Sequence, residues 1–208
     1  FPDEVLMIQT FCDLIKSLNI DIITGWYSHG YDVPYIINRI KVLKLKDTLS
    51  PVGNDWIGNK GSYGDLYKLR IAGLDSIDMM EMVMSLNYNL QNNKLETAAS
   101  EILGEEYGKE KEVSWRDWED NFEGFLKYAF RDVELLKMID DKLKIFEYLI
   151  QMQMLSGVHY LNDINSVSRL IDSLLIKMFW DEYVFPNFKM GQRKDIGGGY
   201  TSDPVPGV

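Results

Sequence analysis

The sequence predicts an α/β fold that passes into a helical second half, and three patterns lead there. Ile20-Asp21-Ile22-Ile23-Thr24 is a short apolar run, rich in β-branched residues and closed by Gly25, which is the pattern of a buried strand. It lies between two helical periodicities. In Pro2 to Leu18, Val5, Ile8, Phe11, Cys12, Ile15 and Leu18 form one face, and Val33 to Leu45 carries Pro34 in its first turn, where a missing N–H does no harm. Farther on, Asn121 to Leu143 is strongly amphipathic, with Phe122, Phe125, Ala129, Leu136 and Ile139 on one stripe. Asp163 to Tyr183 repeats the helical pattern, with Ile164, Val167, Ile171, Leu174, Leu175 and Met178 expected to face inward.

The segments between follow from local chemistry. Leu49 to Gly64 carries Pro51, Gly53, Gly58, Gly61 and Gly64 and reads as a loop or loose hairpin. Leu66 to Ala72 and Asp75 to Met79 read as strands around Gly73. Leu95 to Leu103 is a helix ended by Gly104, and Glu105 to Asp117 is an acidic linker. The long helix is expected to run, with a break, to Gly157. A strand as apolar as Ile20 to Thr24 expects strand neighbours on both sides, and the chain offers few candidates. Exposed sheet edge or apolar helix surface is therefore expected, unless the chain dimerises or swaps segments.

A length of 208 residues suits one domain, or one domain with an extension, and 46% apolar residues can build a core. The single Cys12 excludes a disulfide framework, argues against a zinc site and reads as a core thiol. No stretch is apolar enough to span a membrane and no signal peptide is visible, so a cytoplasmic location is expected, in the host cell if the source is a phage. The net charge of −10 is unlike that of a duplex-binding protein, which usually shows a basic face. A nuclease tolerates such a balance, because metal sites need clustered carboxylates.

Two carboxylates stand out. Asp32, in Gly25-Trp26-Tyr27-Ser28-His29-Gly30-Tyr31-Asp32-Val33-Pro34-Tyr35-Ile36, sits between an apolar strand and a helix, where ligands collect in open α/β sheets. The bland alternative makes it an N-cap. Asp132 lies on the apolar stripe of the long helix, one turn after Tyr128. A carboxylate in that position needs an Arg or Lys partner, a buried N–H or a metal ion.

Tyr31-Asp32-Val33-Pro34-Tyr35 and Tyr128-Ala129-Phe130-Arg131-Asp132 resemble the second and third exonuclease motifs of family B DNA polymerases. The intervening Leu74-Asp75-Ser76-Ile77-Asp78-Met79 strand and the helix ending in Leu103-Gly104 fit the same family. The tail from Gly197 to Gly207 is similar to the segment entering the polymerase palm. Gly25-Trp26 and Val33 to Arg39 resemble the bacteriophage type most. The resemblance implies a ribonuclease-H-like exonuclease fold lacking its first strands, followed by a helical part. Residues 1–145 would form a partial 3′–5′ exonuclease domain and residues 146–208 a helical extension and linker towards the palm. The chain is expected to be an excised region of a longer polymerase, ending before the palm.

By the same resemblance, Asp32, Tyr128 and Asp132 are catalytic. Asp32 and Asp132 would be metal ligands, and Tyr128 would orient the attacking water or the scissile phosphate. The cofactor would be Mg²⁺ or Mn²⁺, as two divalent ions roughly 3.5–4 Å apart in the complete parent site. Partners would be a single-stranded DNA 3′ end or primer-template, the remaining polymerase domains, and a second copy through the exposed sheet edge. Two features depart from the family. No Asp-x-Glu motif precedes Asp32, and Tyr27 replaces the usual Asn of the second motif. The missing motif leaves open a noncatalytic structural or partner-docking module. An unrelated helical protein, in which both Asp residues are caps or salt bridges, is a third reading. His29 reads as a surface-loop residue, with a DNA contact as the alternative, Asp78 as a strand-end hydrogen-bonding residue that could otherwise approach the metals, and the methionines from Met79 to Met84 as core filler.

Overall fold

Asp3 starts the first ordered element of the computed structural model, which describes residues 3–60, 66–86, 88, 90–108 and 117–185. Its carboxylate accepts the Leu6 N–H at 2.7 Å and caps helix α1 (Glu4–Ser17). Ile8, Cys12 and Ile15 are buried, whereas Phe11 and Leu18, expected on the same face, are 39% and 62% exposed. At about 100° per residue these two lie well to one side of the Ile8–Cys12–Ile15 line, and only that line is covered. Burial pushes the Cys12 thiol up to about 11 and makes it a core group, as its position on the helix suggested.

Strand β1 (Ile22–Gly25) leads to helix α2 (Asp32–Val42), then to an antiparallel hairpin of β2 (Asp55–Lys60) and β3 (Tyr67–Ile71). The glycine-rich segment is thus a hairpin, with a register shift between Ile57 and Lys60. Strand β4 (Asp75–Asp78) returns beside β1 in parallel, pairing Ile22 with Asp75 and Gly25 with Asp78. Among the described residues β1 has this one neighbour, so the two-sided pairing expected from its apolarity is met on one edge. Alternate residues of the pair enter different cores, as the two-residue strand repeat requires. Ile23 and Leu74 join Cys12, Ile37 and Leu49 on the side of α1 and α2. Ile22 and Ile77 join Met79, Val83, Ile139 and Leu149 on the other.

That second side is helical. Helix α3 (Met79–Ser85) begins where a strand end was expected and buries Met79, Met80 and Met82, which act as core filler. Helix α4 (Leu95–Leu103) stops at Gly104, whose φ of 139° suits glycine. A 3₁₀ turn (Glu105–Tyr107) and helix α5 (Asp117–Asp120) precede α6 (Phe122–Leu143), which Asn121 caps through the Gly124 N–H at 3.1 Å. The expected break falls at Lys144, with φ 57°, and α7 (Ile145–Ser156) runs on to Gly157. Asp140 bridges the break by accepting the Phe146 N–H at 3.0 Å.

Two expected faces are corrected. On α6, Phe122 is 58% exposed and Ala129 is also exposed; only Leu135 and Ile139, in the second half, are buried. The helix expected over Asp163 to Tyr183 is a 3₁₀ turn (Leu161–Asn165) followed by α8 (Val167–Phe179). The turn seats Leu161 and Ile164 in the core, while α8 presses in through Leu170 and leaves Val167, Ile171, Leu175 and Met178 exposed. The tail from Gly197 to Gly207 and Trp115 lie outside the described residues. Among the described residues no helix is long and apolar enough to cross a membrane.

Ile139→Ala should lower stability by about 2–5 kcal/mol, since it empties a fully covered site. Phe122→Ala, on the same helix, should change it by less than about 0.5 kcal/mol. Denaturant unfolding of the two variants measures the contrast; equal losses would contradict the burial of the second half of α6 alone.

Candidate active site

At the C-terminal end of β1 the chain folds back over β4. Tyr27 takes a left-handed conformation, with φ 58°, and its carbonyl accepts the N–H groups of Gly30 and Tyr31 at 3.0 and 3.2 Å. The Asp78 carboxylate lies beneath this turn and is 1% exposed. Its Oδ2 accepts the His29 N–H at 2.9 Å, and its Oδ1 accepts those of Tyr27 at 3.1 Å and Met80 at 3.0 Å. Asp78 is therefore a strand-end hydrogen-bonding residue, the N-cap of α3, and an anchor for the loop as well. Burial raises its carboxyl above the ordinary range, opposed by the His29 N–H and ring and by the helix N–H groups.

His29 is not on the surface. It is 3% exposed, with Nε2 at 3.0 Å from both the carbonyl and the hydroxyl of Ser76, and Nδ1 at 3.7 Å from Glu81. The loop reverses inward, against β4, which turns a loop residue into a buried one. The His29 carbonyl in turn accepts the Tyr67 N–H at 3.1 Å, joining the loop to β3.

Asp32 is the first residue of α2, and Tyr31 occupies the cap position without a side-chain bond. The N-cap reading of Asp32 is therefore overturned. A carboxylate in the first turn still faces the positive end of the helix dipole. The residue keeps exposed surface, yet its carboxyl is raised, first by desolvation, with its own backbone N–H opposing and the Asp78 charge adding. The approach of Asp78 to the site, the alternative to its strand-end role, is thus borne out by its charge acting on Asp32. The available signal was Asp78-Met79-Met80-Glu81, which has capping-box spacing directly after a strand. Tyr31 and Tyr35 stack one turn apart on either side of Asp32, with ring centroids 5.6 Å apart at 16°, and are 62% and 49% exposed.

Tyr128 and Asp132 are half-buried on α6, which packs on α4. Between them Arg131 lies 5.5 Å over the Tyr107 ring and 3.9 Å from Glu134. Carboxylate oxygens suit a hard divalent cation. Among the described residues, however, no group of three or more His, Cys, Asp or Glu is gathered to hold a metal ion. Asp32 and Asp132 are thus not members of such a group, and the donor number falls short of a complete site.

Residues 1–98 match the family model for the exonuclease domain of DNA polymerase family B. The matched stretch takes in β1, the loop, Asp32 and Asp78. Residues 1–98 are thus similar to a family B DNA polymerase exonuclease domain. All of it aligns, at 27% identity, with the DNA polymerase catalytic subunit of Saimiriine herpesvirus 2, covering 22% of that protein. It aligns over its whole length at 22% identity with the DNA polymerase delta catalytic subunit of Schizosaccharomyces pombe, covering 20% of it. An Epstein-Barr virus (strain B95-8) DNA polymerase catalytic subunit is 24% identical over 100% of the chain and 22% of that protein. The chain thus spans about a fifth of the length of these relatives, and its likeness to them along its whole length counts against the reading as an unrelated helical protein.

Asp32 and Asp78 in the site, and Asp75 at the opposite end of β4, are all raised, each first by desolvation. A folded state that holds protons more tightly than the unfolded chain gains stability below the ordinary carboxylate range and loses it as pH rises through the raised values. Asp75→Asn removes one such loss. The stability gap between wild type and this variant should shift against wild type as pH rises from the ordinary carboxylate range to neutrality. Urea midpoints taken across that range measure it, and a gap that stays constant contradicts the sign.

Proposed function

We propose that this chain takes part in the 3′–5′ removal of nucleotides from DNA ends, as the proofreading part of a polymerase, with Asp32, Tyr128 and Asp132 as its site residues. The observation that carries the reading is the family match over residues 1–98, which coincides with the segment that presents Asp32 at the end of a parallel strand pair. The parallel pair covered by helices on both faces supports a ribonuclease-H-like arrangement. The division into residues 1–145 and a helical extension over 146–208 is part of the same proposal.

Each residue has a task. Asp32 and Asp132 would supply carboxylate oxygens to Mg²⁺ or Mn²⁺, which is commonly held by one or two carboxylates together with waters and substrate phosphates. Among the described residues these two carboxylates are not joined by a third donor, so such an ion would need further ligands. The Tyr128 hydroxyl would orient a water or a phosphate oxygen. Tyr31 and Tyr35 offer exposed rings beside Asp32, and stacking on such rings holds single-stranded bases without a strongly basic surface. This suits a chain of net charge −10. A single-stranded 3′ end is the proposed substrate, and the remaining polymerase domains are the proposed partners.

The incomplete donor set favours a second reading, a noncatalytic module within a polymerase. Incubating the chain with 3′-labelled single-stranded DNA and Mn²⁺ separates the two. Slow end removal that falls to background in Asp32→Ala and in Asp132→Ala supports the first reading. Equal rates in wild type and both variants overturn the assignment of those residues, and no removal by wild type supports the module. Tyr31→Ala should weaken oligonucleotide binding by about 1–3 kcal/mol, read by fluorescence anisotropy.

A further inference from the structure

We propose that Asp78 is a positioning residue for Asp32: its buried carboxylate locks the loop after β1 to the start of α3, so that strand end, loop and helix move as one body. The importance of that position rests on the exonuclease reading above. The division of labour within the carboxylate carries the inference. Capping α3 takes one acceptor, and Oδ1 serves it through the Met80 N–H at 3.0 Å. Asn or Ser would cap as well. The second oxygen adds nothing to α3; it accepts the His29 N–H at 2.9 Å, while Oδ1 also takes the Tyr27 N–H at 3.1 Å.

The grip extends to Asp32. His29, held by its N–H, is fixed a second time by its ring against Ser76. The Ser28 carbonyl, next to it, accepts the Val33 N–H at 3.0 Å and so ties the first turn of α2 to the anchored loop. The Tyr27 ring lies over Gly30, so close that a Cβ there would fall 2.3 Å from it. Asp32 lies between these fixed points. Placement errors of about 1 Å can reduce a reaction by two orders of magnitude.

Asp78→Asn in the full chain tests this, because the amide keeps one oxygen for the cap and puts an NH₂ where the His29 N–H needs an acceptor. Native-state hydrogen exchange should quicken about tenfold or more at His29 and Val33, with Met80 unchanged. In the end-removal assay kcat should fall about tenfold with KM unchanged, a split that general loosening does not produce. Asp78→Ser, which also keeps one oxygen, replaces Asn if that variant does not fold. Unchanged exchange at His29 and Val33 overturns the proposal, as does unchanged kcat in a variant with quickened exchange. If wild type removes no ends, the exonuclease reading falls, and exchange at His29 and Val33 alone decides the positioning role.

Discussion

Two short parallel strands, Ile22–Gly25 and Asp75–Asp78, separate two cores, and their register sets Gly25 opposite Asp78. A buried carboxylate at that place would be costly if left alone. Four N–H groups meet it: two from the loop after the first strand and two from the helix after the second. The same contacts that satisfy Asp78 therefore fix the path of the loop, bury His29 and aim the first turn of α2. Ser28 packs in the same corner, where a Cβ on Gly25 would come within 2.9 Å of the Ser28 Cβ. Loop shape here follows from satisfying one charge.

Sequence periodicity identified elements whose signals are local. The helix ending at Gly104, the break before α7 and the cap at Asn121 all follow from residues within a turn of the boundary. Width of burial was not local. The stripe from Phe122 to Ile139 is continuous in sequence, but only its second half meets Ile145, Leu149 and the residues of α3. Amphipathicity states which side of a helix faces inward and not how far along its length a partner extends. Helix α8 makes the same point, with Leu170 against the core and Val167 and Met178 exposed.

The site was legible to a similar degree. Asp32 could be singled out because a carboxylate follows an apolar strand and precedes a helix. Its neighbour Asp78 is distant in sequence and becomes adjacent only through parallel pairing, which periodicity does not encode. His29 was misread for the same reason, since its burial depends on Ser76 and Asp78 across the pair. Asp132 and Tyr128 are proposed from a spacing of one helical turn, and that spacing is all the sequence says of them.

The chemistry of the two neighbouring carboxylates separates their roles. Both oxygens of Asp78 accept backbone N–H groups, so ligation by Asp78 would compete with the cap of α3 or the tether of the loop. Asp32 has no capping duty in α2, keeps exposed surface and feels the negative charge of Asp78. A carboxylate placed in this way gains from any nearby cation, because the cation relieves both desolvation and like-charge repulsion. Protons and cations compete for such a group, so the features that raise its proton affinity also favour a cation. Asp78 is built to hold backbone, and Asp32 is left to meet what enters from solvent.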